Sequence, residues 1–200
     1  MRMQLALRLS DHPLTDEELV EIARANPDLR FERSSSGELL VSPPTGGRSG
    51  RAEVELLAQL MEWNRKTGLG CVFSSSAGFN LPHQALRSPD ASWVRLERWE
   101  RLSDAEQIAF PRLCPDVVFE LRSASDDLRQ VQDKVREFVR HGASLGVLID
   151  PYRRLVEIFR SGAEPQVVGP RAAMPLDPEL PSFVLDAAAI IELANPAQPR

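Results

Sequence analysis

Apolar positions recur along this chain with two different spacings, and the alternation between them predicts a mixed α/β fold. Thr15 and Glu18 have capping-box spacing, and Leu19, Ile22 and Ala23 form one apolar face before Pro27, so residues 15–26 are expected to be a short helix. Residues 29–33 and 38–42 read as two strands of a hairpin around Ser34, Ser35, Ser36 and Gly37. A proline- and glycine-rich loop at 43–50 leads into a longer helix from about 49 to 67, with Leu56, Leu57, Leu60 and Met61 along one side and Gly68 at its end. Short strands are expected at 71–74, 78–81 and 90–94, then an exposed helix at 95–107 in which Ser103 and Glu106 repeat the cap spacing. The strongest strand signal is DVVFEL at 116–121, with Val117, Phe119 and Leu121 on one face and Asp116, Val118 and Glu120 on the other. Ser125 is expected to cap a helix over 126–141 whose buried stripe is Leu128, Val131, Val135 and Phe138. A hairpin of strands at 145–150 and 155–159, a strand at 183–185 and a last helix ending near Ala194 complete the pattern.

With 200 residues and no internal repeat, the chain is expected to be one domain: an N-terminal helix and hairpin (1–42), a core (43–160) and a C-terminal extension (161–200). The composition, 42% apolar and 26% charged, is that of an ordinary globular protein. A net charge of −5 counts against a basic surface that clamps nucleic acid, although a bound cation supplies local positive charge that the formal count omits. Cys71 and Cys114 form no ligand pair and are expected to be buried or half-buried thiols. The first residues are too interrupted in their apolar run for a signal peptide, and no stretch approaches a membrane span, so a cytoplasmic location is expected.

Three residues draw attention chemically. Lys134 is one of two lysines among 24 basic residues. It falls beside the apolar stripe of the helix at 126–141, where its stem can lie on apolar surface while the ammonium reaches past the edge. A guanidinium stays planar and charged, whereas an ammonium is a compact donor with a pKa that shifts, so a lysine here can serve a chemistry of its own. The plainer reading is a solvated helix lysine. Glu120 stands inside an otherwise apolar strand, where a lone carboxylate is costly unless paired or bound to metal. Arg122, next on the same face, is the alternative ion-pair partner. Asp90 follows Pro89 at the head of a strand, a position a Pro–Asp turn also explains. Thr45 to Gly50 lacks the ending of a nucleotide-binding loop, and His12, His83 and His141 have no ligand spacing. Trp93, Arg95, Arg98, Trp99 and Arg101 interleave aromatic and basic groups, but Glu97 and Glu100 among them favour an amphipathic surface helix.

Taken together, PPTGG at 43–47, SAGFNLP at 76–82, RSPDASWV at 87–94, CPDVVFELRSASD at 114–126, QDKVREF at 132–138 and LGVLIDP at 145–151 resemble the Uma2 family (the DUF820 group), a branch of the PD-(D/E)XK nuclease superfamily. The resemblance implies a restriction-endonuclease-like core with the N-terminal helix and hairpin added to it, and metal-dependent hydrolysis of phosphodiesters, with DNA as the substrate. It matches Asp90 and Glu120 to two metal-binding carboxylates, Lys134 to a lysine on the following helix, and Glu55 to a supporting acidic residue. The superfamily's usual lysine position, two residues after the glutamate, holds Arg122, which is retained as supporting. The cofactor implied is Mg²⁺, with Mn²⁺ as a substitute, and a homodimer is implied without any feature that fixes its interface. GGRSG stands where many such chains carry histidine, and Ala77 where threonine is common. A nuclease fold without catalysis that binds nucleic acid or protein, or a structural role, stays open on the residues alone.

Overall fold

The computed structural model describes residues 5–7 and 14–195; the expectation for His12 lies outside them. In chain order come β1 (Leu5–Leu7), α1 (Asp16–Ala25), β2 (Arg30–Arg33), β3 (Leu39–Ser42), α2 (Gly47–Thr67), β4 (Gly70–Ser74), β5 (Phe79–Asn80), β6 (Leu86–Arg87) and β7 (Ala91–Arg95). There follow α3 (Leu96–Trp99), α4 (Asp104–Ile108), β8 (Val117–Leu121), α5 (Leu128–Arg140), β9 (Leu145–Asp150), β10 (Leu155–Arg160), β11 (Gln166–Val168), β12 (Met174–Pro175), β13 (Val184–Leu185) and α6 (Ala187–Ala194).

A six-stranded sheet, ordered β11-β10-β9-β8-β7-β4, forms the centre, and a second sheet, β1-β3-β2-β6-β5, stands beside it. Within the larger sheet only β8 and β9 are parallel, joined through α5, while β7 runs antiparallel to β8. Both faces of this sheet are covered. Val117, Phe119 and Leu121 pack into a cluster with Leu56 and Leu60 of α2 and Ile190 and Ile191 of α6. On the opposite face Val118 meets Phe138 of α5, and Leu148 and Phe159 meet Val135. The alternation read in DVVFEL therefore divides two buried faces, so Glu120 has no solvated side to escape to.

α5 lies close to the sheet because β9 carries Gly146 beneath it: a Cβ there would stand 2.4 Å from a methyl of Val135. Gly146→Ala is expected to push α5 outward and cost about 1–3 kcal/mol in urea unfolding, the usual price of overpacking.

Two local expectations need correction, the α5 cap and the helix at 95–107. Asp127, not Ser125, caps α5, its carboxylate accepting from the Gln130 amide at 3.1 Å. The single helix expected at 95–107 is two short ones, because Ser103 caps a new helix with Glu106. Trp93 is buried with its indole on Asn64, and Arg95 and Arg98 pair with Asp116, so that stretch is no aromatic-basic surface. Cys114 is buried, which pushes its thiol up to about 12, and Cys71 is half-buried. No helix among the described residues is long and apolar enough to cross a membrane.

Candidate active site

A cleft of about 660 Å³ opens between the β2–β3 hairpin and α5, with Asp90, Glu120, Lys134 and Glu32 in its lining. Local pairing brings them there. The register that sets Ala91 of β7 against Phe119 of β8 places Asp90 beside Glu120, and Asp90 Oδ2 accepts the Leu121 amide at 2.8 Å. The β8–α5–β9 crossover then lays Lys134 over the same end of β8. Its Nζ lies 2.9 Å from Glu120 Oε1 and 3.1 Å from Glu32 Oε1, and donates to the Ser88 carbonyl at 2.8 Å.

The solvated-lysine reading of Lys134 fails, since its side chain is only 16% exposed and three oxygens surround its ammonium. The alternative partner for Glu120 fails too. Arg122 turns to the end of the neighbouring strand, where it pairs with Asp150 at 3.0 Å. Glu55 does not line the cleft. It accepts from Gln59 at 2.9 Å, on the side of α2 that meets the start of α6 at Asp186.

Glu32 was not anticipated. It is a buried carboxylate contributed by β2, which pairs with β6 through Arg33 and Leu86. Its Oε1 accepts the Ser88 amide at 2.7 Å, so Glu32 and Lys134 grip both backbone groups of the residue two before Asp90. The only sequence signal for it was a charged residue inside a short expected strand.

The electrostatics are those of crowded negative charge. Burial pushes the Glu120 carboxyl up to about 8; Lys134 draws it down, and the charges of Asp90 and Glu32 add to the rise. Burial alone would lower Lys134, but Glu120, Glu32 and Asp90 together hold it above the ordinary lysine value. Burial would raise Glu32, yet Lys134 and Arg87 beside it hold it below the usual carboxylate value. Over the cleft's whole lining the balance is also acidic: Glu32, Glu38, Asp90, Glu120, Asp126, Asp127, Asp133 and Glu137 face Arg30, Arg87, Lys134 and Arg140. Arg87 is already spent on Glu137 at 2.6 Å.

This donor set fits a hard divalent cation, which takes carboxylate oxygens. Glu120 Oε1 is buried and, despite the nearby ammonium, finds no well-aligned hydrogen-bond donor. Among the described residues, however, no three His, Cys, Asp or Glu side chains stand together as a metal-holding group. Lys134 takes the central place between Glu120 and Glu32 instead.

Comparison with known proteins agrees with the resemblance. The profile of the Uma2 family, described as "Putative restriction endonuclease", matches residues 16–188. The crystal structure of a protein described as a "putative nuclease belonging to DUF820", from Anabaena variabilis ATCC 29413, superposes with a TM-score of 0.76 at 20% identity, covering 91% of this chain and 99% of that one. At that identity the likeness establishes the fold. Among curated proteins none matches.

Proposed function

The chain belongs to the Uma2 family, and we propose that its cleft is the active site of a metal-dependent endonuclease acting on DNA, with Asp90, Glu120 and Lys134 as the working residues. The observation that carries this reading is a buried ammonium held against a buried carboxylate, with a second carboxylate on the adjacent strand, at the open end of the parallel pair. A fold needing only an ion pair would gain as much from apolar packing, since a buried pair repays its desolvation poorly.

Asp90 and Glu120 are the residues that would hold Mg²⁺ or Mn²⁺, which when bound supplies charge to polarise a phosphoryl oxygen and to lower the pKa of a water. Asp90 is fixed for this by the Leu121 amide, which leaves its rotamer little freedom. Lys134 has the reach to donate to an attacking water or to a phosphoryl oxygen as its negative charge grows, a task of placement more than of proton transfer. The acidic lining repels a phosphodiester unless cations enter with it, which ties substrate binding to the metal. That same lining favours the rival reading, a nuclease fold without catalysis.

Calorimetric titration with Mg²⁺ and Mn²⁺ separates the two. The unaltered chain is expected to bind, and Asp90→Asn to lose the binding. Absence of binding in the unaltered chain gives the site to the rival.

A further inference from the structure

Lys134 presents a difficulty for its own site. Its ammonium stands 2.9 Å from Glu120 Oε1, so it competes with any cation for that carboxylate. Two like charges on one buried carboxylate repel strongly in a poorly solvated cleft. For a cation to be held at Glu120, the ammonium must yield that contact and yet stay in the cleft. Two acceptors are ready to retain it: Glu32 Oε1 at 3.1 Å and the Ser88 carbonyl at 2.8 Å. Glu32 is itself tethered, because its Oε1 also accepts the Ser88 amide at 2.7 Å.

We propose that Glu32 is a positioning residue which retains Lys134 when a divalent cation takes Glu120, and that the β2–β3 hairpin thereby belongs to the working site. This rests on the metal-dependent reading above. Glu32 is assigned no bond to the cation. It offers the displaced ammonium a second negative partner, so the cost of releasing Glu120 is partly recovered. Without it the ammonium stays on Glu120, the other carboxylate within ion-pair distance, and opposes the cation.

The test uses the full chain with Glu32→Gln, which keeps an acceptor for the Ser88 amide, Lys134→Met, and the double variant. In Mn²⁺ titrations Glu32→Gln is expected to weaken binding about ten- to hundredfold, the scale of one charge-assisted hydrogen bond. In the Lys134→Met background the same change is expected to have no further effect. Equal affinity for Glu32→Gln and the unaltered chain overturns the proposal, and so does weak binding that persists in the double variant, since Glu32 would then be a ligand. Absence of Mn²⁺ binding by the unaltered chain is a different result: it defeats the metal-dependent reading, and the proposal with it.

A second readout needs no activity. The chain has only two lysines, and Lys66, 71% exposed, is an internal reference for reductive methylation. Lys134 is expected to stay protected in the unaltered chain with and without Mn²⁺. In Glu32→Gln it is expected to become labelled at saturating Mn²⁺ only. Labelling of Lys134 in the unaltered chain on adding Mn²⁺ shows that Glu32 does not retain it and overturns the proposal without any variant.

Discussion

Lys134→Ala is expected to abolish DNA cleavage and to lower the unfolding free energy by about 3–5 kcal/mol. Among the described residues the ammonium is the one cation paired with both Glu120 and Glu32, and both carboxylates are almost fully buried. Removing it leaves Glu32 buried without that ion-pair partner, while Glu120 loses the one neighbour that draws its carboxyl down. Urea unfolding and a cleavage assay on the same preparation measure the two effects. Lys134→Arg tests the shape of the requirement. Three acceptors converge on one nitrogen, a geometry that an ammonium satisfies and a planar fork does not. Cleavage is therefore expected to be lost there too, although the charge is kept.

Glu120→Gln is expected to give the opposite pattern in stability with the same loss of function. Cleavage falls by at least about 10²–10³-fold, the effect of removing a group that organises charge in the transition state. Stability stays within about 1 kcal/mol of the unaltered chain. The reason is that burial already pushes Glu120 up to about 8, so its charged form is held at a cost that a neutral amide avoids. Lys134 keeps Glu32 and Ser88 as partners in the variant. A residue that is needed for activity and not for the fold is the signature of a site that gives up stability for function. A loss of several kcal/mol would instead make Glu120 a structural anchor.

Much of this arrangement was legible in the sequence because it depends on local periodicity. Alternation in residues 116–121 put Glu120 on one face of β8, and the 3.6-residue spacing of Val131, Val135 and Phe138 put Lys134 on the sheetward edge of α5. A short crossover between parallel neighbours brings those two faces together with few alternatives. Glu32 was not legible for the complementary reason. It reaches the site through the pairing of β2 with β6 at Arg33 and Leu86, a long-range contact between very short strands that no local pattern encodes. Glu55 came from the family resemblance and from no pattern in the residues, and it stands away from the cleft: α2 is covered by α6, and Gln59 takes up the carboxylate on that side. Arg122 shares the parity of Glu120, but β8 ends at Leu121, and past the strand parity no longer fixes direction.

The most direct measurement of the central claim is nicking of closed circular DNA by the purified chain with Mg²⁺ or Mn²⁺, alongside Asp90→Asn and Glu120→Gln. The account predicts cleavage by the unaltered chain that EDTA stops and that both variants lack. Cleavage that persists in EDTA or in Glu120→Gln, or no cleavage by a chain that binds the metal, would contradict it.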